Sequence, residues 1–90
     1  MDSQQVITKL LVHIALQEQF KNRDETKIFI PFSFAHKLEK DMKIKTYRDI
    51  QFGGYRLVSG PFSNILAYNK VKDAQLVMTT HGDIVESPTY

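Results

Sequence analysis

Residues 50–58, with the sequence IQFGGYRLV, decide the fold, because two glycines separate two short runs of alternating character. A two-residue primed turn needs positive φ at positions where glycine carries no steric penalty. We therefore predict a β-hairpin. Its expected pairs are Phe52 with Tyr55, Gln51 with Arg56, Ile50 with Leu57 and Asp49 with Val58. This register places Ile50, Phe52, Tyr55 and Leu57 on one face of the hairpin.

The segment before the glycines alternates in the same way. Apolar or neutral residues occupy even positions from Met42 to Phe52, apart from Arg48, and Lys43, Lys45 and Tyr47 occupy odd ones. Strict alternation is typical of a half-buried strand, so we predict a strand over residues 42–52. Its outer face would present two lysines and one aromatic ring.

Two helices are expected upstream. Residues 3–20 carry apolar side chains at helical spacing, with Asp2 or Ser3 as the N-cap. Val12, Ala15 and Leu16 widen the apolar band beyond a single stripe, which predicts burial on a second side, against a partner. Residues 27–32 are expected to form a strand, and Pro31 places it at a sheet edge or lies at its end. A short helix over residues 33–41 should follow.

Three more strands are expected downstream, over residues 62–68, 75–80 and 84–86, with turns at 69–73 and 81–83. The fold class that follows is α+β. We expect one compact domain, residues 1–90, with an N-terminal helix on a mostly antiparallel sheet of about five short strands and an inserted short helix. Residues 87–90 should form a frayed tail. A small open barrel capped by the helix is the alternative.

Composition excludes several classes of function. The chain has 90 residues, 12 Lys and Arg against 10 Asp and Glu, a net charge of +2 and no cysteine. A disulfide framework, a thiolate nucleophile and a cysteine-based zinc site are therefore excluded, and a cytoplasmic location is expected. The apolar run at residues 10–16 is far shorter than the ~20 residues of a spanning helix. We therefore expect no membrane association.

Catalytic and metal-binding patterns are weak. His13, His36 and His81 do not stand at spacings that converge on a metal, so we predict no metal and no cofactor. The sequence His81-Gly82-Asp83, close to Thr79, could orient a general base. Turn formation explains the same residues more simply. We predict no catalytic residue.

Residues 57–69 contain no charged side chain and keep the apolar and aromatic residues Phe62, Ile65, Leu66 and Tyr68. Depletion of charge with retained aromatics is typical of the core of an interface. We therefore predict a non-enzymatic interaction module that docks these residues on a partner protein or on its own copy, most simply in a homodimer. Its size suits a regulator or inhibitor of the kind that phages and mobile elements carry.

Two alternatives stay open. Lys43, Lys45, Tyr47 and Arg56 could form a basic, stacking surface for single-stranded nucleic acid, although a solvated outer strand face has the same composition. The second alternative is a small-molecule sponge or an enzyme with a pocket at an oligomer interface. Such pockets need few residues and leave no motif in the sequence.

Overall fold

The computed structural model describes residues 2–43 and 50–85, and for Ile50 the backbone alone. The helices are α1, Ser3–Ala15, and α2, Phe32–Met42, with a short 3₁₀ helix at Glu18–Phe20. The strands are β1, Thr26–Pro31; β2, Ile50–Phe52; β3, Tyr55–Gly60; β4, Ile65–Asn69; β5, Ala74–Met78; and β6, Ile84–Val85. This is an α+β fold, as predicted.

The sheet is mixed, with the strand order β2-β3-β1-β4-β5-β6. β1 runs parallel to β3, and every other neighbouring pair is antiparallel. A parallel pair needs a crossover connection, and α2 lies in that connection. The sheet therefore has six strands, where about five were expected, and β1 lies at its centre.

Both helices cover the same face of the sheet. A single core joins Val6, Ile7, Leu10, Ile14 and Phe20 of the N-terminal part with Phe34, Ala35 and Leu38 of α2 and with Ile28, Ile30, Tyr55, Leu57, Ile65, Ala67 and Met78 of the strands. Alternate strand residues fill this core, so the residues between them point to the opposite face. Neither helix covers that opposite face, which we call the open face.

Helix α1 is shorter than expected. Asp2 caps it by accepting from the backbone N–H of Gln5 at 2.8 Å, and the helix ends at Ala15. The 3₁₀ helix then brings Phe20 into the core, where it is fully buried. On the widened apolar side Val12 and Leu16 are 62% and 86% exposed, so nothing in the described chain covers them.

The hairpin prediction is confirmed where the structure describes it. Phe52 pairs with Tyr55, Gln51 with Arg56 and Ile50 with Leu57, and Gly53 and Gly54 have φ values of 60° and 86°. Asp49 lies outside the described residues, so its pairing with Val58 stays a prediction. Arg23 braces the turn, because its Nε donates to the carbonyl of Gly53 at 3.0 Å and its guanidinium lies 5.3 Å from the centre of the Tyr55 ring.

The strand predicted over residues 42–52 is wrong at its start. Met42 ends α2, and Lys43 is the left-handed cap of that helix, with φ of 55°. The strand itself is Ile50–Phe52, and residues 44–49 lie outside the described part. The apolar side chain of Met42 packs against the core from a helix, a role that helical and alternating patterns predict equally well.

The remaining strands agree with expectation in order, with shifted ends. β4 begins at Ile65, three residues later than predicted, and the predicted turn at 81–83 is present, with Gly82 at φ of 95°. Residues 87–90, expected to be frayed, lie outside the described chain. Within the described ranges, no helix has the length and apolar character needed to cross a bilayer.

Candidate binding face of the sheet

A continuous row of apolar side chains crosses the open face. Val58, Phe29, Leu66, Val77 and Val85 are consecutive register partners on β3, β1, β4, β5 and β6. Val58, Phe29, Leu66 and Val77 are half-buried, and Val85 is exposed. We call these five residues the apolar row. Directly opposed residues lie about 4.5–5.5 Å apart, so the row forms one unbroken strip.

Phe62 lies beside this strip, next to Phe29. Its ring meets that of Phe29 edge to face, with centroids 5.4 Å apart and an interplanar angle of 63°. A Cβ at Gly60 would lie 2.5 Å from the Phe62 ring, so the absence of a side chain at Gly60 lets the ring fold back over the sheet. Phe62 is still 38% exposed. It is therefore a positioned aromatic group that a partner can reach.

A second row lies beside the first and has a different chemistry. Gln51, Arg56, Lys27, Tyr68 and Gln75 are register partners across β2, β3, β1, β4 and β5. We call these the polar row. Two of its central positions are cations and the next is an aromatic ring. The open face thus changes from apolar to basic within two residues along the strands.

Tyr68 is held in place from the β4–β5 turn. Its hydroxyl donates to Oδ1 of Asp73 at 2.9 Å. This hydrogen bond, with some burial and the negative charge of Asp73, raises the pKa of Tyr68 above its usual value of 10.0. Donation to a carboxylate favours the neutral phenol. The ring is thereby fixed on the open face, with its hydroxyl already bonded.

Asn69 fixes the turn itself. Its side-chain oxygen accepts from the backbone N–H groups of Val71 and Lys72, both at 2.9 Å, and its Nδ2 donates to Oγ1 of Thr26 at 3.1 Å. Asn69 is 1% exposed, so these bonds are needed to compensate its burial. The turn is therefore tied to the start of β1, at the same end of the sheet as the polar row.

Two adjoining clefts lie at this polar end. The first has a volume of about 220 Å³ and is lined by Arg23, Asp24, Thr26, Lys27, Gln51, Gly54, Arg56 and Lys70. The second has a volume of about 160 Å³ and is lined by Asp24, Glu25, Lys27, Phe29, Tyr68 and Lys70. Three residues, Asp24, Lys27 and Lys70, line both. The first cleft is strongly basic, and the second has an aromatic wall.

Of the residues predicted to bind a partner, three come together on the open face. Phe62, Leu66 and Tyr68 all lie there. Ile65 does not, because it is 0% exposed and belongs to the core beneath the helices. We therefore remove Ile65 from the contact surface. Adjacent residues of one strand point to opposite faces, so Ile65 and Leu66 cannot share an interface.

The structure describes two of the four residues predicted to form a basic surface for nucleic acid, so that surface stays a prediction. Lys43 is an exposed helix cap and Arg56 lies in the polar row on β3. Lys45 and Tyr47 lie outside the described residues. Sequence reasoning missed Lys27 and Lys70, which join Arg56 at the first cleft. It also missed four members of the apolar row, Phe29, Val58, Val77 and Val85. The alternation of Lys27 and Phe29 in β1 was the one pattern that could have indicated an exposed strand face there.

The segment around His81 forms a turn, as predicted. The backbone N–H of Asp83 donates to Oγ1 of Thr79 at 3.0 Å, and the backbone N–H of Thr79 donates to the carbonyl of Asp83 at 2.8 Å. His81 is exposed. Across residues 2–43 and 50–85, no group of three His, Asp or Glu side chains converges on a position for a metal ion.

Comparison with known proteins identifies no relative of this chain. The chain matches no protein-family model, and neither the curated proteins nor the solved structures contain a significant match.

Proposed function

We propose that this chain is an interaction module whose open face docks on the open face of a second copy. The observation that supports the proposal is the apolar row, from Val58 to Val85, which neither helix covers and beside which Phe62 packs on Phe29. Uncovered contiguous apolar surface is typical of interaction sites. Packing against the same row of a second copy would turn the open face into the interior of a two-layer sandwich.

The distribution of charge favours one orientation of the two copies. If the two-fold axis ran along the strands, the polar rows of both copies would lie at the same end of the dimer, with Lys27 and Arg56 of each copy near that end. An axis along the apolar row instead places the polar rows at opposite ends of the dimer. Each polar row would then lie towards the partner's loops at residues 59–64 and 79–83, which contain no Lys or Arg. Like charges are separated, and the apolar rows still meet.

The size of the face predicts a weak dimer. β3, β1, β4, β5 and β6 together contain 24 residues with a rise of about 3.3 Å each, so strands about 4.8 Å apart give a footprint of about 380 Å² on each copy. Both copies together would bury about 800 Å², which is in the range of weak, transient interfaces. We therefore expect a dissociation constant on the order of micromolar rather than nanomolar.

The experiment compares three proteins by sedimentation velocity from about 1 to 300 µM. The wild type should change from monomer to dimer across this range, and Leu66→Lys should stay monomeric, because Leu66 is at the centre of the apolar row. Leu16→Lys is the matched control, since Leu16 is the most exposed large apolar side chain described, at 86%, and lies on α1. It should dimerise like the wild type. Circular dichroism verifies that each variant is folded.

Other results redirect or refute the proposal. Loss of the dimer in Leu16→Lys with retention in Leu66→Lys would assign the interface to α1. A wild type that stays monomeric at 300 µM would refute self-association and leave a different protein as the occupant of the face. For the module as a whole we propose a regulatory or inhibitory role in the cytoplasm, a location that the absence of cysteine supports.

A further inference from the structure

The two clefts at the polar end of the open face together have the chemistry of one small ligand. The first contains four cationic side chains, Arg23, Lys27, Arg56 and Lys70, and one carboxylate, Asp24. The second adds Glu25 and the rings of Phe29 and Tyr68. A ligand that fills both must carry a compact negative group beside a flat, π-rich group.

We propose that these joined clefts bind a nucleoside monophosphate unit, with the phosphate in the first cleft and the base against the aromatic wall of the second. The unit is a free nucleotide or one nucleotide of a single strand. This inference goes beyond the docking function; because the proposed dimer would cover Phe29, the ligand binds the monomer. Stacking on Phe29 and Tyr68 needs no particular base, because every base has a π-face.

The charge of the clefts favours a single phosphate group. Lysines and arginines outnumber the two carboxylates in the joined clefts, and a monophosphate carries about −1.5 to −2 at pH 7. One phosphate therefore suits the moderate positive charge. A triphosphate would overcompensate and would meet Asp24 and Glu25. The volumes agree, since clefts of about 220 and 160 Å³ together reach the low end of the range of roughly 300–1,000 Å³ for ligand pockets and suit a small ligand.

The groups that would contact the ligand are held before it binds. Arg23 is fixed by the carbonyl of Gly53 and by the Tyr55 ring. Tyr68 is fixed by Asp73, and Phe29 by the edge of Phe62. The backbone N–H of Lys70 donates to the carbonyl of Glu25 at 3.2 Å, which joins the walls of the second cleft. A preorganised site loses less side-chain entropy on binding.

The test is calorimetric titration with adenosine 5′-monophosphate at low and at physiological salt, together with adenosine, inorganic phosphate and adenosine 5′-triphosphate. We expect the monophosphate to bind at least tenfold tighter than adenosine or inorganic phosphate, and tighter than the triphosphate. Tyr68→Ala should weaken the monophosphate at least fivefold and leave inorganic phosphate unchanged. Lys27→Glu should weaken both.

Lys72→Glu is the matched control, because Lys72 is exposed on the same β4–β5 turn and lines neither cleft. It should bind like the wild type. Leu66→Lys, which stays monomeric and lines neither cleft, should bind at least as tightly as the wild type, and this separates the ligand site from self-association.

A ten-nucleotide single strand distinguishes the two sources. If only the strand binds, and Tyr68→Ala and Lys27→Glu weaken it, the unit belongs to single-stranded nucleic acid. If the mononucleotide binds as tightly as the strand, the ligand is a free nucleotide. If neither binds more tightly than inorganic phosphate, or if Lys72→Glu weakens binding as much as Lys27→Glu, the inference is wrong.

Discussion

Phe29 on β1 lies directly opposite Leu66 on β4, on the face of the sheet that neither helix covers. The central strands of a small sheet are normally its best covered part, yet here both helices pack on the face opposite to this pair. Phe29 and Leu66 therefore lie near the middle of an apolar row that neither helix covers. A partner centred on this pair would contact the whole apolar row.

The turn at Gly54 requires glycine for its backbone conformation. Gly54 has φ of 86°, and a Cβ there would lie 2.5 Å from Cδ of Arg23. We expect Gly54→Val to lower the free energy of unfolding by about 1–3 kcal/mol, because a β-branched residue is strained at positive φ. Gly54→Asn, which tolerates positive φ, should lose less. Urea unfolding measures both, and equal losses would mean that contact with Arg23 dominates.

Gly60 controls the position of Phe62. The Cβ of Gly60→Ala would collide with the Phe62 ring, which is a surface side chain and can swing away. We expect the thermal unfolding midpoint to change little and the dimer to weaken several-fold, because the ring leaves its place beside Phe29. Phe62→Ala should have a similar effect on the dimer. If Gly60→Ala dimerises like the wild type, Phe62 does not contribute to the interface.

Asp41 makes the stability of the fold depend on pH in the acidic range. Its Oδ2 accepts from both the hydroxyl and the backbone N–H of Ser3, and these bonds lower the pKa of Asp41 below its usual 3.8. Because the folded pKa is the lower one, this contribution is present above pH 3.8 and is lost as pH falls through the folded pKa.

Ser3→Ala removes the hydroxyl donor, so we expect lower stability at pH 5–7 and a smaller loss on acidification. Unfolding midpoints from pH 2 to 7 measure this difference. A Ser3→Ala curve parallel to that of the wild type would show that the hydroxyl has no effect on the titration of Asp41.

Tyr55 should make the stability of the fold depend on pH in the alkaline range. Its hydroxyl donates to the carbonyl of Phe20 at 3.0 Å, and burial raises its pKa above 10.0 although Arg23 opposes the shift. The folded pKa is the higher one, so this contribution is complete below pH 10 and is lost as pH rises through the folded pKa.

Tyr55→Phe should cost about 1–3 kcal/mol at neutral pH, because the carbonyl of Phe20 loses its partner in the core. It should also reduce the loss of stability above pH 10. Unfolding in urea at pH 7 and pH 10.5 tests both. A cost at pH 7 below about 0.3 kcal/mol would show that water replaces the phenol.

Local signals in the sequence were sufficient for the hairpin and for the fold class. Gly53 and Gly54 specify a turn, and the turn then sets the register of β2 and β3 without any knowledge of the remaining chain. The uncharged stretch at residues 57–69 pointed to Phe62, Leu66 and Tyr68, which the structure places on the open face. It could not separate Leu66 from Ile65, because alternation shows that two neighbours face opposite ways and does not show which way the core lies.

The rest depended on contacts between distant segments. The parallel pairing of β1 with β3 joins residues such as Lys27 and Arg56, and no short-range pattern encodes it. Both the apolar row and the basic cleft exist because this pairing places β1 at the centre of the sheet. The pattern around Met42 suits a helix end and a strand start equally, and the helix prevailed because Met42 packs on the core.

The most direct test of the central claim is an isotope-filtered NOE experiment on an equal mixture of labelled and unlabelled protein at about 300 µM. We predict intermolecular NOEs between the side chains of Phe29, Leu66 and Val77 and the same side chains of the other copy, with none from Val12 or Leu16. Intermolecular NOEs that arise from Val12 and Leu16 alone, or a complete absence of intermolecular NOEs, would contradict the account.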